Sequence, residues 1–252
     1  IIAYRKKHYV APKTIVVIAG KFNAEKTLTQ IKKTFGSLPK APRAAKAKTR
    51  DGQKSPQLLV KWKESDQSHV ALGFRAFDLF DKRKSALNVM AAVLGGGMSS
   101  RLFKRVREEL GAAYHVSASP SLSIDHGHLT VVAGLNHEKM KIGLHAMLDE
   151  CRRLRDESVG REELERSKES LAGAWILNLE TADQLAMYHG YQELAMQKIE
   201  SPEEAVKKIR AVTAEDVREV ARAILKDSRL NMAVLGPYRD EGQFKSMLSL
   251  GG

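Results

Sequence analysis

Apolar residues recur along this chain with two spacings, and the change from one to the other marks out its elements. Leu58 to Trp62 and Ser68 to Phe74 predict two strands, separated by Lys63 to Gln67. Ala113 to Leu122 alternates in part. With His128 to Leu135 it predicts an antiparallel pair joined at Ile124-Asp125-His126-Gly127, where Asp-His-Gly suits a turn. Leu230 to Leu235 predicts a closing strand before Gly236 and Pro237, and Thr14 to Ala19 predicts a strand of the buried type ending at Gly20. Elsewhere helical spacing takes over. Residues 1 to 9 read as the end of a helix. Asn23 can cap a helix from Ala24 to Phe35, whose Leu28, Ile31 and Phe35 fall three or four apart, and Gly36 ends it. Lys82 to Leu94 turns Ala86, Val89, Met90 and Val93 to one face. Glu138 to Asp156 follows Asn136 as cap and stops before Gly160. Further helices are predicted over Arg161 to Leu179 and Thr181 to Lys198. Two more begin at Pro202, with acids in the first turn, and at the cap Thr213.

The stretch from Leu94 to Ser117 stands apart. Gly95, Gly96 and Gly97 permit a tight turn or a close backbone approach. Ser99 or Ser100 can cap a short helix running to Leu110, Gly111 ends that helix, and a strand follows. Arg107 and Tyr114, seven residues apart, then fall on the last helical turn and at the start of the strand. A guanidinium and a phenol on adjacent rigid elements can point into one cleft.

Composition narrows the chemistry. The chain has 252 residues, 43% of them hydrophobic, so a sizeable core is available. No run of eighteen or more apolar residues predicts a membrane span, and Ile1-Ile2-Ala3 leads at once into Arg5, Lys6 and Lys7 without a signal-peptide pattern. The opening residue is not Met, so a fragment is expected. The net charge is +12, yet the first fifty residues hold thirteen Lys or Arg and one acid, Glu25. Removing that thirteen from 42 basic residues and that one from 30 acids leaves 29 of each. The excess is thus local and has few interleaved aromatics, which ranks nucleic-acid binding low. Residues 39 to 56, rich in Pro, Ala and Lys, have a linker composition. Of the eight histidines, no pair shows the i, i+4 spacing of a helical zinc site, and only His126 and His128 beside Asp125 make a weak metal arrangement. His137, Glu138 and His145 read as surface groups. Cys151, on an apolar helix stripe, reads as a core thiol. No Lys-Ser/Thr pair follows the glycines, so they form no phosphate loop.

GGGMSSRLF followed by REELGAAY resembles the second-domain signature of the M16 (pitrilysin-like) zinc metallopeptidases. That family includes the mitochondrial processing peptidase and insulin-degrading enzyme. The likeness extends to other stretches. Tyr9, Pro12 and Gly20 before an amphipathic helix resemble the tail of the family's first domain, with Pro12 one place late. The strand ending GFRAF, and VTAEDVREVARAIL with AVLGP, are similar to the family's later segments. The family's zinc motif, H-x-x-E-H, is absent.

The resemblance implies an α+β fold, an antiparallel sheet with helices packed on it. It implies a first-domain tail over 1–38, an interdomain linker over 39–56 and a second M16 domain over 57–252. It implies that Arg107 and Tyr114 reach towards a zinc site in another half, hold the substrate backbone and help stabilise the oxyanion. Gly95, Gly96, Gly97, Ser99 and Arg101 would adjoin them as substrate-binding residues, although Arg101 could instead pair with Glu108 or Glu109. The parent would be a zinc metalloendopeptidase acting on unfolded peptides, with the zinc-bearing domain in cis or in trans and a homo- or heterodimer as the assembly. This chain would hold no cofactor and be inactive alone. An M16-fold structural subunit of a larger complex is the alternative. A soluble protein of the bacterial cytoplasm or periplasm is expected.

Overall fold

The computed structural model of the chain describes residues 1–42, 46–195 and 199–251. Part of the 39–56 linker, and the end of the helix expected to reach Lys198, fall outside them. In order, the elements are α1 (Ile2–His8), α2 (Ala24–Phe35), β1 (Gln57–Trp62), β2 (Ser68–Ala76), α3 (Lys84–Gly95) and a π-helix (Phe103–Glu109). There follow β3 (Ala113–Leu122), β4 (Gly127–Leu135), α4 (Met140–Asp156), α5 (Arg161–Leu177), α6 (Ala182–Ala195), α7 (Pro202–Arg210), α8 (Ala214–Ile224), β5 (Leu230–Gly236) and α9 (Gly242–Lys245). They fall into two compact units: residues 1–49 with 175–202, and residues 50–174 with 203–252.

The larger unit is a five-stranded sheet in the order β1-β5-β2-β4-β3. The expected β3–β4 pair forms, and β2 runs antiparallel to both β4 and β5. One pairing departs from an antiparallel sheet, because β1 and β5 lie side by side in parallel. Period-two alternation decides which face is buried. In β2, Val70, Leu72 and Phe74 are buried and His69 is exposed. Leu129 and Val131 of β4, and Met232 and Val234 of β5, share the buried face. Helix α3 packs against β3 and α8, and α8 against α4. Leu87, Met90, Leu144, Met147 and Val217 are wholly buried there, each contributing about 1.5–3 kcal/mol relative to exposure. Helix α8 is fixed at its start by a reciprocal cap. The Thr213 hydroxyl accepts from the Asp216 N–H at 3.1 Å, and Asp216 Oδ2 accepts from the Thr213 N–H at 2.8 Å. Those two Thr213 groups hold the Asp216 carboxyl below the usual carboxylate range.

In the smaller unit the Asn23 side chain caps α2 as expected, accepting from the Lys26 N–H at 2.9 Å. The strand expected over Thr14 to Ala19 does not form. Those residues pair with no strand among the described residues, and Ile15, Val16, Val17 and Ile18 are all exposed. A β-rich apolar run becomes a strand only where another backbone takes its N–H and C=O groups. Trp175 and Tyr188 meet edge to face, with ring centroids 5.5 Å apart.

Gly95 ends α3 against the sheet itself. A methyl built on it would lie 2.4 Å from the backbone nitrogen of Ala118 in β3. Gly173, inside α5, has open space where its methyl would go. Gly95→Ala is therefore expected to lose about 1–3 kcal/mol by overpacking, against its helix propensity. Gly173→Ala is expected to gain about 0.5–1 kcal/mol from propensity alone. Urea unfolding of the two variants checks both signs.

Candidate functional site

Beyond Gly95 the chain turns into a helix of unusual pitch. Leu102 and Val106 anchor it in the core with no exposed surface. The expected α-helix is π-helical from Phe103 to Glu109, with the Leu110 N–H reaching Arg105 O at 3.2 Å. Neither serine caps it through its side chain: the Ser100 hydroxyl donates instead to Gly97 O at 2.5 Å. Gly111 ends the helix in the left-handed region, at φ 53. The Lys139 ammonium closes that end by donating to Leu110 O at 2.9 Å.

The strand that follows opens with a bulge. Ala113 pairs with Leu135 and His115 with Gly134, so Tyr114 is the extra residue. Alternation breaks at that point, and Tyr114 and His115 are both exposed, Tyr114 at 75%. Arg107 meets it from the π-helix. Its guanidinium carbon lies 5.1 Å from the Tyr114 ring centroid and 4.8 Å from that of Phe103. Arg107 and Tyr114, the pair that the family resemblance points to, thus lie against one another. A guanidinium over a phenol ring orients both groups while leaving the hydroxyl and the N–H fork free for a ligand.

The other expected site residues are placed differently. Gly95 is packed against β3, while Gly96, Gly97 and Ser99 are exposed in the bend after α3 or at its end. Arg101 makes neither of its expected local ion pairs. It forks onto Glu163 of α5 through two bonds of 2.8 Å, with its side chain 12% exposed. The Glu163 hydrogen bond holds Arg101 above its ordinary value against the pull of burial. Burial pushes Glu163 up, but the bond and charge of Arg101 outweigh it and leave the carboxyl below its usual range. Arg101 therefore ties the bend to α5. Cys151 is buried and its thiol is pushed up to about 12, so it stays protonated in the core.

A polar network at the same end of the sheet escaped the sequence reading. Ser68, at the start of β2, is fully buried. Its Oγ lies 2.7 Å from His137 Nδ1 and 2.5 Å from the Tyr238 hydroxyl, and His137 Nε2 lies 2.6 Å from Ser65 O. A carbonyl only accepts, so Nε2 carries the proton. In the neutral imidazole Nδ1 then accepts from Ser68, which in turn accepts from Tyr238. His137 is thus a structural partner and not the surface group expected. Each member resembles an ordinary turn residue, and no local spacing joins the three. Among the described residues, no group of three or more His, Cys, Asp or Glu could hold a metal ion. His126 contacts Asp125 at 2.8 Å in the β3–β4 turn, without a third ligand. The described residues therefore do not fit zinc.

Known proteins share this architecture. A structure described as a peptidase M16 inactive domain from Pseudomonas fluorescens superposes with a TM-score of 0.84, at 20% identity over 94% of this chain and 57% of that one. A chain of complex III2 from Candida albicans gives a TM-score of 0.72 at 18% identity, over 91% of this chain and 57% of that one. The fold is that of an M16 peptidase domain. The profile described as peptidase M16 inactive domain matches residues 1–171, and the chain belongs to that family. An uncharacterized zinc protease of Streptomyces coelicolor is 32% identical over 247 residues, covering 94% of this chain and 53% of the relative. One from Bacillus subtilis is 30% identical over 238 residues, covering 93% and 56%. The chain thus spans about half the length of these curated relatives and corresponds to a C-terminal domain of the M16 zinc protease family.

Ser68→Ala would leave His137 Nδ1 and the Tyr238 hydroxyl without their buried partner and is expected to cost about 1–3 kcal/mol. Tyr238→Phe removes one bond and should cost about 0.5–1.5 kcal/mol. Denaturant unfolding with matched slopes measures both; equal, negligible losses would show the network to be unimportant for stability.

Proposed function

We propose that this chain is the substrate-side half of an M16-type zinc metalloendopeptidase that hydrolyses unfolded peptides. The observation that carries the reading is the pairing of Arg107 with an exposed, bulge-presented Tyr114. The Tyr114 hydroxyl donates to a peptide carbonyl, and its bond strengthens as negative charge develops on that oxygen. Arg107 holds a fixed charge and a planar donor fork beside it. The metal and the residues that bind it belong to another half, in cis or in trans. Residues 1–38 are the tail of that half's domain, 39–56 the linker and 57–252 the second domain. The unpaired apolar run Ile15 to Ile18, the exposed Leu28 and Phe35 of α2, and the half-length coverage of the relatives support this division.

A second reading has one observation in its favour. The likeness to a chain of complex III2 supports a structural subunit that keeps the fold without taking part in hydrolysis.

A quenched-fluorescent unfolded peptide separates the two. The chain alone should cleave nothing, and addition of the zinc-bearing half should restore cleavage. Tyr114→Phe in that assembly should lower kcat by about 10²–10³, as loss of one oxyanion donor does, with a smaller change in KM. An unchanged kcat would remove Tyr114 from the reaction. Association of the halves without cleavage would favour the structural subunit.

A further inference from the structure

The exposed face of the sheet is laid out in rows that cross the strands. The register gives the row nearest Tyr114. Lys61 lies beside Leu235, Leu235 beside His69, and His69 and His115 flank Gly134 from its two sides. At about 4.8 Å per strand, the row is about 19 Å long, the length of five or six extended residues. A methyl on Gly134 would lie 2.5 Å from Gln67 Oε1, so the Gln67 carboxamide covers the gap between the two histidines. Behind this row the central strands carry small residues, Ala71 and Gly73 of β2 and Ala233 of β5, flanked by Leu59 of β1 and Val132 of β4. None of the five strands contains an Asp or Glu. Glu64 and Asp66 stand in the β1–β2 turn, off the strands. Arg75, at the far end, is matched by Asp51. Among the described residues the side chains of Lys61 and His69 have no hydrogen-bond or ion-pair partner, and both residues are exposed. His115 is exposed too, and its Nε2 contacts the Ser117 hydroxyl at 3.2 Å.

We propose that this row is a recognition strip for an extended peptide bearing carboxylate side chains. The peptide crosses the strands, setting its acids against Lys61, His69 and His115 and leading its backbone to Tyr114 and Arg107. The inference rests on the peptide-binding reading above and adds a specificity to it. Charge selects the occupant. An ammonium, two imidazoles and a carboxamide supply N–H donors on a surface whose strands hold no competing acid. At the centre of the face, Ala71, Gly73 and Ala233 let a backbone lie close. A single-stranded nucleic acid would want stacking platforms as well as charge, and the row from Lys61 to His115 contains no aromatic ring apart from the imidazoles.

The test uses three dye-labelled, ten-residue unfolded peptides that differ only in carrying Glu, Gln or Lys at alternate positions. Fluorescence anisotropy with the folded chain should give the Glu peptide at least about tenfold tighter binding than the Gln peptide, or about 1.4 kcal/mol. The triple variant Lys61→Gln, His69→Gln, His115→Gln replaces exposed side chains, and circular dichroism would verify its fold. It should bring the Glu peptide down to the affinity of the Gln peptide and leave the latter unchanged. Equal binding of the Glu and Gln peptides, or a preference that survives the triple substitution, would overturn the strip while the peptide reading stands. Tighter binding of a single-stranded oligonucleotide than of the Glu peptide would overturn it too. If neither the folded chain nor its assembly with the zinc-bearing half binds any of the peptides, both readings fall.

Discussion

The contact between Gly95 and the β3 backbone is the constraint from which the rest of the site follows. A helix can end directly against a strand only where the facing residue has no side chain, and a methyl at Gly95 would come within 2.4 Å of the Ala118 nitrogen. With α3 seated that closely, the chain has room for the bend, a single turn and a half of π-helix and an immediate return into β3. Leu102 and Val106 fill the core beneath it. The wider pitch and the bulge each accommodate one extra residue, and the two irregularities bring Arg107 over the Tyr114 ring.

The same end of the sheet is held by polar contacts from several directions. Ser68, His137 and Tyr238 link the start of β2, the exit of β4 and the exit of β5 through one chain of hydrogen bonds. The Asn136 N–H donates to Ala112 O at 2.9 Å, joining the exit of β4 to the entry of β3. Arg101 and Glu163 secure the bend to α5. These are buried or half-buried bonds whose loss leaves unsatisfied groups, so they specify geometry more than they add stability. The exposed phenol and guanidinium rest on a frame that is itself fixed, which is what a binding or catalytic pair requires.

Much of this was legible in the sequence, for identifiable reasons. Strand alternation in β2 and β4 and the caps at Asn23 and Thr213 are local signals, and the structure follows them. The adjacency of Arg107 and Tyr114 could be anticipated because the motif that carries them is short and contiguous. The strand assigned to Thr14 to Ala19 was misread because composition reports β-propensity, while pairing depends on a partner that the described residues do not supply. The π-helix looked like an α-helix because Leu102 and Val106 keep an α-like spacing. The bulge leaves no compositional trace. The Ser68 network joins residues 69 and 170 positions apart, and Arg101 finds its partner 62 positions away, separations that no periodicity reveals.

The central claim is that Arg107 and Tyr114 act as one preorganised pair towards a peptide. A double-mutant cycle with Arg107→Ala and Tyr114→Ala, read as the affinity of the folded chain for an unfolded peptide by titration calorimetry, tests it most directly. A coupled pair predicts that the double variant loses less than the sum of the single losses, by about 0.5 kcal/mol or more. Losses that add to within about 0.3 kcal/mol would show two independent side chains and would contradict the account.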